Sequence, residues 1–249
     1  MNGPRVALLH GLAGTTAVWR ACRAAAPEGS RFVPVDISWP AHGTAGPRAP
    51  EEPAELVARA LRATRAQVVV AHSFAATALL EYLVREEGAG PPLLGAVCVS
   101  PFYRAERRDF DWATIDYYLT RFHLILEEGL AVTSGGRLSA ATRASMARRV
   151  RERIGPYGWM DFFGAYLRTP GLPLDRVRTP VLAVTGAHDL AARPSDAAAL
   201  VRALPAGRLH VLPGCGHFPM AEQPDRFTGV LSDFLASLPA APVASLEMT

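Results

Sequence analysis

The chain has 249 residues, 49% apolar and 20% charged, which suits one large domain or a domain with an insert and excludes a disordered chain. All 26 basic residues are Arg, so Lys nucleophiles, Schiff bases and phosphate-loop lysines are ruled out, and the permanently charged Arg keeps the pI near 9.0 although the net charge is only +3. Cys22, Cys98 and Cys215 are too few and scattered for a disulfide framework or zinc site, no apolar run approaches the roughly 18 residues of a membrane span, and the short stretch before His10 lacks a signal-peptide layout; a cytoplasmic protein is expected.

In chain order, "RVALLHG" (5–11) predicts a buried strand running into a Gly-containing loop. "RFVPVDIS" (31–38) predicts a second strand, placed at an edge or made irregular by Pro34. "EEPAELVARALRAT" (51–64) opens with acids and Pro, as a helix start does. "QVVVAHS" (67–73) is a β-branched strand, and "FAATALLEYLVREE" (74–87) a helix stopped by Gly88. "LLGAVCVS" (93–100) is another buried strand. Near the end come strand 180–189, helix 195–204, strand 208–217 and helix 222–238. Strand–helix alternation predicts an α/β fold: a mostly parallel central sheet with helices on both faces.

One stretch breaks this rhythm. Residues 102–174 hold helical patterns at 111–130, 139–154 and 159–168, with no convincing strand. The expected organisation is a core of 1–101 and 175–240, a helical cap of 102–174 lying where parallel sheets bind ligands, and a flexible tail of 241–249. Arg143, Arg148, Arg149, Arg151 and Arg153 form the densest basic stretch, with Glu152 among them. It reads as a solvated helix face rather than a nucleic-acid site, and a carrier protein or coenzyme A thioester is a candidate partner for it.

The strongest local signal is "VVVAHSFAATALL": strand, Ser73, then helix, with Ala71 and Ala75 two residues to either side. Such a sharp turn raises the serine oxygen above the sheet beside the unpaired N–H groups of a helix N-terminus. Here the chain resembles the α/β-hydrolase superfamily, whose elbow reads G-x-S-x-G. Both glycines are alanines in this chain, and the Ala75 methyl has to fit into the turn.

Three further segments carry the resemblance. "LLHGLAGTTAVW" (8–19) matches the H-G-x-x-G oxyanion loop and its following Trp. The resemblance implies that the N–H groups of Leu12 and Phe74 form the oxyanion hole, with Gly11 and Gly14 giving close approach and His10 buttressing the loop. "VTGAHDLAARP" places Asp189 at the family's acid position, with His188 adjoining it. "LPGCGHFPMAEQPDRF" matches the terminal G-x-G-H-x-x-x-x-E-x-P-x-x-F segment, implying His217 as general base and leaving Glu222 and Pro224 to start a helix. The order Ser73, Asp189, His217 is the superfamily's own.

"DISWPAHGTAG" (36–46) is a weaker match to the family's D-x-P-G-H-G loop, with Asp36 structural and Trp39 and His42 either facing the site or packing at the surface. The cap is rich in aromatic residues, mostly cap core. Phe162 and Phe163 are adjacent and cannot both face one way, so one of them lines a pocket with Phe102 or Tyr103. The candidate substrate-binding residues are His10, Trp39, Phe102, Tyr103, Trp159, Phe163 and Phe218.

These features predict a serine hydrolase acting on a carboxylic ester or thioester of a medium-sized apolar or aromatic acyl group. The same site in a lyase, C–C bond hydrolase or cyclase is the alternative, and a binding protein a third. The seven histidines show no H-x-x-x-H or H-x-H spacing, and no G-x-G-x-x-G follows a strand, so neither metal nor other cofactor is expected. No isologous patch is legible in the sequence, leaving the oligomeric state open.

Overall fold

The computed structural model describes residues 3–39, 52–86 and 93–239. His42, Gly88 and the tail 241–249 lie outside the described residues. Among the described residues, six strands form one parallel sheet: β1 (Arg5–Leu9), β2 (Arg31–Val35), β3 (Val68–His72), β4 (Gly95–Val99), β5 (Val181–Gly186) and β6 (Gly207–Leu212). Their order is β2-β1-β3-β4-β5-β6. Each overlaps a predicted strand, with β5 and β6 ending at Gly186 and Leu212, short of the predicted ends at 189 and 217. β2 takes an edge, where Pro34 removes no hydrogen bond from the sheet interior.

The helices are α1 (Arg20–Ala24), α2 (Pro53–Thr64), α3 (Phe74–Glu86), α4 (Trp112–Ser134), α5 (Ala140–Arg168), α6 (Pro194–Ala203), α7 (Pro219–Glu222) and α8 (Pro224–Ser237). Alternation along the strands divides the core. Ala7, Leu9, Val69 and Ala71 pack with Leu56, Leu79 and Leu200 of α2, α3 and α6. Val6, Leu8, Val68 and Val70 pack with Cys22, Phe227 and Leu231 of α1 and α8. Each fully buried Val or Leu stabilises the fold by about 1.5–3 kcal/mol, so covering both faces is the main stabilising term. α1 falls in a stretch that carries no clear sequence periodicity.

No strand occurs between β4 and β5, where all residues are described. α4 starts at Asp111, whose side chain accepts the Thr114 N–H at 2.7 Å, and ends at Gly135 in the left-handed region. α5 starts at Ser139, which caps Thr142 at 3.1 Å. The α5 range holds both predicted helices, 139–154 and 159–168, separated by a kink where Gly155 (φ 64°, ψ 179°) leaves helical geometry before Pro156.

The sheet order positions the site. From β1 the chain steps outward to β2, then crosses back over β1 to β3. Strand order therefore reverses between β1 and β3, and a crevice opens at their carboxyl ends. The His10–Gly14 loop follows β1 and Ser73 follows β3. Because every strand is parallel, the loops after β5 and β6, with Asp189 and His217, emerge at the same edge.

Candidate active site

Ser73 joins β3 to α3 with φ 58°, a left-handed conformation that costs a non-glycine residue about 1–2 kcal/mol. The surrounding hydrogen bonds hold it there. Its N–H donates to the Val99 carbonyl at 2.8 Å, and its carbonyl accepts the Ala76 N–H at 2.9 Å. Ala71 and Ala75 are fully buried, so both methyl groups are accommodated within the turn. The Ser73 side chain is nearly enclosed, with the residue 9% exposed.

Three side chains from three loops converge. His217 Nδ1 lies 2.9 Å from Asp189 Oδ2, and His217 Nε2 lies 3.0 Å from Ser73 Oγ. Asp189 as a carboxylate can only accept, so Nδ1 carries the proton and Nε2 accepts from the Ser73 hydroxyl. Asp189 Oδ1 also accepts the Ala191 and Ala192 N–H groups, at 3.0 and 2.9 Å. Burial alone would raise the Asp189 pKa; its bonds to His217 and Ala192 prevail and hold it below the ordinary carboxylate value. For His217, burial works against the imidazolium, but Asp189, with Glu128 and Glu222, outweighs it and raises the pKa. His188 is exposed beside the acid, away from this series.

The acid and histidine loops are zipped together by backbone. Ala187 N–H donates to the Leu212 carbonyl at 2.9 Å and His188 N–H to the Cys215 carbonyl at 2.8 Å. Gly186 makes this approach possible, since a Cβ there would overlap the Cys215 and Gly216 carbonyls.

The loop after β1 lies against the serine. Gly14 N–H donates to the Gly11 carbonyl at 3.0 Å, closing a turn through left-handed Ala13. The N–H groups of Leu12 and Phe74 make no hydrogen bond to protein among the described residues. His10 braces this loop: Nδ1 donates to the Gly11 carbonyl at 3.0 Å and Nε2 accepts the Ile37 N–H at 3.2 Å. Trp39 Nε1 donates to the His10 carbonyl at 3.0 Å, and its ring meets Phe74 edge-on. Asp36 keeps a largely exposed side chain, 3.3 Å from His10 Nε2.

A cavity of about 50 Å³ adjoins Ser73. His10, Leu12, Phe74, Phe102 and Phe218 line it, together with Phe122 and Ile125 of α4 and Phe162 of α5. Trp39, Tyr103, Trp159 and Phe163 do not. The rotation of α5 turns Phe162 inward and Phe163 away, where it stacks on Trp159 at 4.8 Å. Trp39 stands one layer back, behind His10 and Phe74. Among the described residues, no group of three His, Cys, Asp or Glu side chains is arranged to hold a metal ion. Nor is any helix there long and apolar enough to cross a membrane.

The model of the alpha/beta hydrolase family matches residues 6–230 of the chain. The chain belongs to the alpha/beta hydrolase family. It is 25% identical to the pimeloyl-acyl-carrier protein methyl ester esterase of Nitrosospira multiformis, over 91% of this chain and 92% of that one. Among solved structures it is similar to a bromoperoxidase from Bacillus anthracis (TM-score 0.69, 19% identity, 94% of this chain and 92% of that one). It is also similar to an enol-lactonase from Burkholderia xenovorans (TM-score 0.62, 18% identity, 95% and 93%). At these identities the two structures share the fold.

Within this alpha/beta hydrolase, several residues act in ways their spacing did not announce. Glu222 closes α7 rather than starting a helix, and its two oxygens accept the Gly216 and Phe218 N–H groups, both at 2.8 Å. Pro224 does open α8. His72 donates from Nε2 to the His217 carbonyl at 2.9 Å; burial, then the neighbouring His217, pushes its pKa down to about 3. Glu128 of α4 accepts the His217 N–H at 2.7 Å. The one sequence hint for Glu222 was its place in the terminal motif. Glu128 had none.

Proposed function

We propose that this protein is a serine hydrolase that cleaves a carboxylic ester or thioester through an acyl-enzyme. Ser73 Oγ attacks the carbonyl carbon while His217 Nε2 takes its proton. The resulting oxyanion is stabilised by the N–H groups of Leu12 and Phe74. Asp189 stabilises the imidazolium. Collapse breaks the bond to the leaving group, which receives the proton from His217, and water deacylates Ser73 by the same steps in reverse roles. The continuous series Asp189–His217–Ser73 at hydrogen-bond distances carries this reading.

The apolar walls favour an uncharged acyl group, and residues 102–174 act as the cap that encloses it. A cavity of about 50 Å³ is smaller than the roughly 150 Å³ that admits benzene. A medium-sized apolar or aromatic acyl group, as expected from the aromatic content, therefore requires this cavity to widen as the substrate enters. The exposed Arg148, Arg149, Arg151 and Arg153 of α5 offer a basic face to a carrier-linked or coenzyme A thioester.

Intact mass after fluorophosphonate treatment tests the reading. One adduct on the wild type and none on Ser73→Ala or His217→Ala supports it. A folded wild type that resists both this probe and a smaller sulfonyl fluoride refutes it and favours a non-hydrolytic use of the site. A panel of p-nitrophenyl esters and acyl-coenzyme A thioesters of increasing length then defines the acyl group and the leaving group.

A further inference from the structure

Helix α4 reaches the histidine loop through a reciprocal fit. Its stripe Phe122, Ile125, Leu126 and Gly129 repeats at helical spacing; the first three face the cavity, and Gly129 meets Phe218. A Cβ on Gly129 would lie 2.8 Å from Phe218 Cζ, so the ring needs a glycine opposite it. On the other side, a Cβ on Gly216 would collide with the Glu128 carboxylate. Each partner thus provides a glycine where the other projects a side chain. Glu128 Oε1 then accepts the His217 N–H at 2.7 Å.

The histidine loop is otherwise held by core elements: Glu222 on Gly216 and Phe218, His72 on the His217 carbonyl, and Asp189 on the ring. The His217 N–H is the polar group of this loop held by α4. Resting on the hydrolase reading, we propose that Glu128 is a positioning residue for His217, so that the base is complete only when α4 is docked on its loop. Its carboxylate acts twice. It fixes the backbone that carries the imidazole, and its charge favours the imidazolium formed when Ser73 gives up its proton.

The charged and titratable groups facing His217 are Asp189 from the loop after β5, His72 from β3, Glu222 from α7 and Glu128 from α4. Those acting on Glu128 are His217, Glu222 and Asp189. Burial raises the pKa of Glu128, opposed by the His217 N–H and by the charge of His217.

The test compares full-length wild type, Glu128→Gln and Glu128→Leu by pH profiles of kcat/KM on one p-nitrophenyl ester. In parallel, carbon NMR of labelled histidine follows the His217 ring, identified by the signal lost in His217→Gln. Gln keeps an acceptor and removes the charge: the acid limb and the His217 titration move to lower pH, and the plateau falls about threefold to tenfold. Leu removes both, and the plateau falls about a hundredfold. If both variants keep the wild-type acid limb and ring titration and lose only thermal stability, Glu128 is merely structural and the proposal fails. If Leu does not fold, Gln alone decides it. If folded wild type resists both the fluorophosphonate and the smaller sulfonyl fluoride, the hydrolase reading fails, while the NMR titration still decides whether Glu128 acts on His217.

Discussion

Gly11 stands directly against Ser73: a Cβ on Gly11 would lie 2.9 Å from Ser73 Cβ and 3.3 Å from Ser73 Oγ. It would also lie 3.1 Å from the His72 carbonyl. Two of these neighbours belong to the strained elbow, which has little freedom to retreat. An added methyl must therefore push the His10–Gly14 loop outward, and the Leu12 N–H moves with it.

Gly11→Ala is accordingly expected to remain folded and to lose about 10²–10³ in kcat/KM, the effect of losing one oxyanion donor. Paired measurement of kcat/KM and Tm checks this. Activity within threefold of wild type would show that Leu12 N–H is not a donor to the transition state.

Phe162 forms part of the wall of the cavity beside Ser73. Its ring is buried against Phe74, Phe102 and Phe122, with centroids 5.9, 4.9 and 5.2 Å away. Phe162→Ala is expected to enlarge the cavity and shift the preferred p-nitrophenyl ester toward longer chains, at a stability cost of about 3–5 kcal/mol. Phe163 stacks on Trp159 away from the cavity wall, so Phe163→Ala should leave the chain-length optimum in place. An unchanged optimum in Phe162→Ala would place the acyl chain elsewhere.

Much of this arrangement is legible in local sequence, for a physical reason. Ser73, Asp189 and His217 each sit in the turn or loop that follows a strand, and small residues beside them mark the tight turns those loops require. The sheet follows from apolar runs such as 67–73, because strands buried on both faces need unbroken hydrophobicity. What escapes is phase and reach. Adjacent Phe162 and Phe163 look alike until the rotation of α5 is known. Glu128 lies 89 residues from His217 in the chain, and nothing local distinguishes it from Glu127. Only the placement of α4 selects one of them. The Gly155–Pro156 step, by contrast, reads as a break between helices, and Gly155 is where helical geometry is interrupted.

A partly buried ion pair ties the insert to the core. Arg104 Nη1 lies 3.1 Å from Asp196 Oδ1, and Arg104 Nε donates to the Tyr166 hydroxyl at 2.9 Å. The side chains of Arg104 and Asp196 are 16% and 9% exposed, so either charge left alone is poorly solvated. Asp196→Ala is expected to destabilise the protein by about 3 kcal/mol, because Arg104 keeps its charge. Adding Arg104→Met to Asp196→Ala should recover much of that loss. Denaturant unfolding of the two singles and the double decides it: additive losses would show that the pair is uncoupled.

Activity and the His217 contribution to stability should respond to pH in opposite directions. Burial disfavours its imidazolium, but Asp189 prevails with help from Glu128 and Glu222, so the folded pKa lies above the ordinary value of 6.5. Neutral His217 is needed to accept the Ser73 proton, so kcat/KM rises as pH rises through that raised pKa. The same shift stabilises the fold. That contribution is complete below the unfolded value of 6.5 and is lost as pH rises through the folded pKa. Asp189 has the opposite sign: its folded pKa is held below the unfolded 3.8, so its contribution is present above 3.8 and lost as pH falls through the folded value. Buried His72, pushed down to about 3, titrates with the opposite sign below the unfolded 6.5, and the raised pKa values of Glu128 and Asp196 add to a fall in Tm, so His217 accounts for only its own share of the slope above 6.5. His217→Gln should remove that share, and Asp189→Asn should move the acid limb of kcat/KM to lower pH while cutting the rate about 10⁴-fold. Coincident Tm slopes for wild type and His217→Gln across that range would show that no proton leaves His217 there, and the acid limb would then belong to another group.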